Sequence, residues 1–171
     1  CADFIISRLS RLFPAYWIAI TLTALTVWLF TLPGRQVGLM ATLINFTMLQ
    51  DWLGVFRVDN AYWTLTIQLS FYGIMFLIHA CNQMKNLLRI GLVWNCVIIL
   101  AAFAEQHLSV SIHWAIKLFL ILDYGNLFVA GIMFYRLTKD FRVAYLYPII
   151  LSVFADYVLR GGMHCLFTSL L

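Results

Sequence analysis

Four side chains able to donate, accept or move a proton, Thr64, Gln68, Tyr72 and His79, recur at helical spacing along one apolar segment. At 100° per residue they fall within about 80° of arc, one narrow polar stripe. Such a stripe could orient a hydroxyl or pass a proton. It could equally serve as hydrogen-bond glue between helices, worth about 0.6 kcal/mol per contact. Both uses require that it face protein or a water-filled cavity, because a polar group in hydrocarbon is costly unless paired.

Charged residues supply the other candidates. Asp123 stands inside the apolar run Phe119 to Phe128. If the helix through it is unbroken, it is an intramembrane carboxylate, which points to function. If Asp123-Tyr-Gly-Asn126 breaks the helix at a shallow outer position, the side chain meets water instead. Asp156 and Arg160, four apart with the acid first, fit a helix-end ion pair. Arg8 and Arg11, three apart on one helix face, could pair the phosphates of a nucleotide-containing thioester through their planar guanidiniums. They could also simply anchor the first span on the positive side, with Pro14 in its first turn. His107 and His113 fall in a solvated loop and His164 near the end of the chain. Cys1, Cys81, Cys96 and Cys165 form no CxxC pair and have no histidine at zinc-ligand spacing, so no metal site is expected.

The elements that position these residues follow from composition. With 64% hydrophobic and 11% charged residues and a mean hydropathy of +0.93, 171 residues cannot hide their apolar surface in water. The surrounding partner is therefore membrane lipid. Apolar runs are continuous rather than alternating, which excludes a transmembrane β-barrel. The net charge of +4 comes from basic residues scattered singly or in pairs between those runs, so no nucleic-acid partner is expected.

The expected fold class is all-α: a polytopic transmembrane helical bundle of about five full spans, near 12–32, 61–81, 87–104, 114–135 and 143–159. The run at 37–50, too short to cross and carrying Asn45, reads as a re-entrant or interfacial helix. If it does not cross, seven of the eleven basic residues (Arg8, Arg11, Lys85, Arg89, Arg136, Lys139, Arg142) lie on the inner side. Arg35, Arg57, Lys117 and Arg160 then lie outside, and Pro33-Gly34 ends the first span. No linker divides residues 1–171, which read as one partial domain. A first residue that is not methionine and a final apolar run short of the roughly 20 residues of a span suggest missing N-terminal and C-terminal spans, the last one truncated.

Three segments carry a resemblance. Phe4-Ile-Ile-Ser-Arg-Leu-Ser-Arg-Leu-Phe-Pro-Ala-Tyr16 resembles the R-x-x-R-[IL]-x-P-x-[YF] entry to a span in the bacterial membrane-bound acyltransferase family 3. Val58-Asp-Asn-Ala-Tyr-Trp-Thr-Leu-Thr-Ile-Gln-Leu-Ser-Phe-Tyr72 is similar to that family's W-[ST]-L-x-x-E-x-x-F-Y segment. Phe128-Val-Ala-Gly-Ile-Met-Phe-Tyr-Arg-Leu137 is similar to its F-x-x-G-x-x-x-Y stretch, which is far less specific.

The resemblance implies an O-acyltransferase of the bacterial cytoplasmic membrane. It would move an acyl group, commonly acetyl, from acyl-coenzyme A to a hydroxyl of a cell-envelope or exported carbohydrate or glycolipid, with no bound cofactor. It implies donor binding by Arg8 and Arg11, a catalytic neighbourhood at Gln68 and Tyr72, and a cavity lined by Asp59, Trp63, Thr64, His79 and Asp123. Two departures stand out. The family's catalytic histidine lies on an earlier span than any in this chain, so the segment would need missing parts of its own chain to act. Gln68 also stands where the family has glutamate. A non-enzymatic helical bundle or transporter segment, with the stripe and Asp123 lining a pathway, and an inactive gene fragment are the alternatives.

Overall fold

A computed structural model describes residues 2–30, 38–108 and 110–160, and all regular structure among them is helical. The α-helices are α1 (Ala2–Leu29), α2 (Leu39–Asn45), α3 (Trp63–Ala80), α4 (Leu87–His107), α5 (Trp114–Leu120), α6 (Gly125–Lys139) and α7 (Leu146–Leu159). Four stretches are long and apolar enough to cross a membrane: Ile6–Leu29, Asn60–Ala80, Met84–His107 and Trp114–Lys139. Val143–Leu159 is apolar but shorter. The expected truncated span after Arg160, His164, the end cysteines, and the Pro33-Gly34 turn with Arg35 lie outside the described residues.

The helix of the first span starts earlier than its apolar run, so Pro14 lies in the interior of α1 rather than in its first turn. Helix formers on both sides carry the backbone through, at the loss of the one N–H that proline lacks. The chain divides into two compact units, 1–80 and 81–171.

In the first unit, Leu12, Tyr16 and Ile20, one face of α1, pack with Met48, Val58 and Tyr62. The rings of Tyr16 and Tyr62 meet edge to face at 5.2 Å. The run at 37–50 contributes only the seven residues of α2. At 1.5 Å per residue that is about 10 Å, a third of a bilayer core of about 30 Å. Asn45 explains the stop. Its amide nitrogen donates to Ala41 O (2.8 Å) and Phe56 O (2.9 Å), and its side-chain oxygen accepts from the Val58 N–H (3.2 Å). The Tyr16 hydroxyl donates to the Asn45 backbone oxygen at 2.6 Å. One buried asparagine therefore folds the following segment back on α2, and an Asp51–Arg57 ion pair closes that segment.

In the second unit α4, α6 and α7 pack together, with Ile98, Leu122 and Ala155 at the centre of one cluster. The expected span 114–135 is broken: α5 stops at Leu120, Ile121 adopts a left-handed conformation (φ 50°, ψ 47°), and α6 begins at Gly125. A buried β-branched residue with positive φ is strained and persists only when its surroundings hold it. Here the Trp94 indole donates to the Leu120 carbonyl freed by the break, at 2.8 Å. Gly125 allows this approach, since a Cβ there would come within 3.0 Å of both Trp94 Nε1 and Ile98 Cδ1.

Candidate functional site

The first two of the three resembling segments meet in the first unit. The Arg8 guanidinium lies over the Tyr72 ring, 5.8 Å from its centroid, within cation–π range. One turn earlier on α3, the Gln68 amide nitrogen donates to the Tyr72 hydroxyl at 3.0 Å. Gln68, Tyr72 and Arg8 are all half-buried. The Tyr72 hydroxyl accepts from Gln68, and its own proton has no acceptor among the described residues. The trio thus offers a fixed positive charge and a phenolic donor side by side, suited to holding an oxygen-rich anionic or carbonyl group. It holds no general base.

The rest of the stripe does not join this group. Thr64 is exposed and its hydroxyl donates to Ala61 O at 3.1 Å, closing the first turn of its own helix. His79 is exposed in the last turn of α3. Thr64 and His79 are fifteen positions apart, about 22 Å along the axis, so residues sharing a face do not share a depth. Asp59 caps the 3-10 turn Asn60–Tyr62 by accepting from the Ala61 N–H at 3.0 Å, and Trp63 starts α3 half-buried. Arg11 is exposed.

The polar residues that α3 buries are Thr66 and Ser70, on the far side of the helix from the stripe. Thr66 receives a long hydrogen bond, 3.5 Å, from the fully buried Gln50. The Gln50 Oε1 and Asp51 Oδ2 atoms lack hydrogen-bond partners among the described residues. Sequence reasoning missed this face because Thr and Ser satisfy themselves on their own helix, as Ser70 does on Thr66 O at 3.0 Å.

Asp123 belongs to the second unit, where the helix break leaves it exposed. It lines an open pocket of about 300 Å³ with Tyr124, Leu159 and Arg160. The buried carboxylate of this unit is Asp156, 5% exposed, and it forms the expected pair with Arg160 (Oδ1 to Nε 3.1 Å). It also accepts from Asn126 Nδ2 at 3.4 Å. Asn126 and Asn95 are fully buried and both reach Ser152, on its backbone oxygen (3.3 Å) and its hydroxyl (2.9 Å) respectively. Their side-chain oxygens have no partner among the described residues. Leaving such an acceptor dry costs about 1–3 kcal/mol. No periodicity in the sequence marks these asparagines, because their partners lie 26 to 57 positions away on another helix.

No group of three or more histidine, cysteine, aspartate or glutamate side chains is placed to hold a metal ion among the described residues. Compared with protein-family models, with characterised proteins and with solved structures, the chain matches none.

Proposed function

We propose that the chain is part of a membrane O-acyltransferase that moves an acyl group, acetyl in the simplest case, from a coenzyme A thioester to a hydroxyl of a cell-envelope or exported carbohydrate or glycolipid. The observation that supports it most is the convergence of Arg8 with Tyr72 and Gln68, since these come from the two most specific resembling segments. In this reading the hydroxyl oxygen attacks the thioester carbon as a base takes its proton, the C–S bond breaks, and the thiolate leaves and is protonated. The Arg8 guanidinium and Tyr72 hydroxyl would face the donor's phosphates or the developing oxyanion, with Arg11 in reserve at the exposed edge. The base would come from a part of the protein beyond the residues gathered here.

The same proposal sets the topology: five spans with Val143–Leu159 as the fifth, residues 37–50 re-entrant, the start cytoplasmic, and the bacterial cytoplasmic membrane as the location. The transporter alternative is favoured by one feature, the helix broken at 121–124, because broken spans line solute sites in many transporters.

The test is the Arg8→Lys/Arg11→Lys double variant in the full-length protein. Lysine keeps the charge that orients insertion and removes the planar fork. Weaker apparent donor affinity with normal insertion supports donor binding, and unchanged transfer kinetics would reduce both arginines to membrane anchors.

A further inference from the structure

We propose that the buried polar file between α4, α6 and α7 is a binding site for one small monovalent cation, sodium. The proposal is independent of acyl transfer.

Pro148, Ser152, Asp156 and Arg160 follow one another at four-residue intervals and so share one face of α7. Asn95 of α4 and Asn126 of α6 insert against this face. Every hydrogen the amides and hydroxyl can offer is in use. Asn95 Nδ2 donates to Pro148 O (3.1 Å) and Ser152 Oγ (2.9 Å). Asn126 Nδ2 donates to Ser152 O (3.3 Å) and Asp156 Oδ1 (3.4 Å), and Ser152 Oγ donates to Pro148 O (2.8 Å). What the file leaves unmet is acceptors alone, the two buried amide oxygens of Asn95 and Asn126; the Asp156 carboxylate, which accepts from Asn126 and Arg160, adds the negative charge.

An occupant of such a place must bring donors or positive charge. Water brings donors but also lone pairs, and no side-chain donor of the asparagines or the serine is left for them. A metal cation has no such need. Amide, hydroxyl and carboxylate oxygens are hard ligands, and a single carboxylate without histidine or cysteine suits a monovalent ion rather than a divalent or transition metal. The enclosure favours a small ion. At one end the file meets an open 300 Å³ pocket, because Arg160 belongs both to the Asp156 pair and to that pocket. Asp123 lines that pocket without an ion-pair partner among the described residues and would draw cations to it.

The experiment uses the purified full-length protein in nanodiscs, with radioactive sodium binding and thermal unfolding in sodium, potassium and choline chloride at equal ionic strength. Saturable binding of about one sodium per chain is expected, with a midpoint roughly 3–6 °C higher in sodium than in choline. Asn95→Leu should weaken sodium binding at least tenfold and erase the sodium-dependent shift. Its fold should survive in choline, because Pro148 O keeps its bond from Ser152. Asn126→Leu is a second, independent variant, since Asp156 keeps Arg160. Equal midpoints in all three salts without saturable sodium binding would overturn the proposal and assign the acceptors to buried water. Parent-like sodium affinity in both leucine variants would overturn it as well.

Discussion

Gln68 and Tyr72, one turn apart on α3, are joined by a hydrogen bond in which the Gln68 amide is the donor and the Tyr72 hydroxyl the acceptor. A glutamate at position 68 would reverse that bond: the ionised carboxylate can only accept, so the phenol would donate to it. The residue at position 68 thus decides whether the Tyr72 hydroxyl accepts from it or donates to it, without a change in side-chain size.

The first prediction follows from this reversal. On the proposed acyltransferase reading, Gln68→Glu in the full-length protein should insert normally and raise acyl transfer. The gain is about tenfold if the residue orients a neighbour, and in the 10²–10⁴ range if it handles a proton. Transfer no faster than the parent would make position 68 structural.

Asn45→Leu should destabilise the first unit by about 1–3 kcal/mol, because it strands the buried Val58 N–H and removes the bond to the Phe56 carbonyl. Denaturation in micelles measures the loss. Amide exchange at Val58 should accelerate selectively, and a uniform change across the unit would contradict the assigned role.

Two glycines of α6 should answer alanine oppositely. Gly125→Ala pushes a Cβ against Trp94 and Ile98 and disturbs the indole that holds Leu120 O, so a loss of about 1–2 kcal/mol is expected. Gly131→Ala meets nothing within 4 Å and should stabilise the helix by about 0.5–1 kcal/mol. Unfolding midpoints of the two variants check both signs.

The proposed topology is testable by single introduced cysteines after replacing the native ones, of which Cys81 and Cys96 are exposed. Positions 85 and 139 should resist an impermeant thiol reagent applied from outside, while 57 and 107 react. Reaction at 85 from outside would overturn this topology.

By itself the sequence determined the helical, membrane-seeking character, because apolar run length and scarcity of charge are local properties that lipid reads directly. It also marked the Asp156–Arg160 pair, whose partners are four positions apart and need no second helix. Tertiary structure alone decided the rest. The stripe shared a face but not a depth: Gln68 bonds Tyr72, and it is the Tyr72 ring that meets Arg8, from a helix some sixty positions earlier. Asn45 stopped α2 through bonds to Phe56 and Val58, and Trp94 held a broken helix by reaching Leu120. The buried polar file drew Asn95, Asn126 and Asp156 from three helices. Each of these contacts joins residues far enough apart along the chain that no periodicity links them, and which acceptors remain unmet is known only once every donor has been placed.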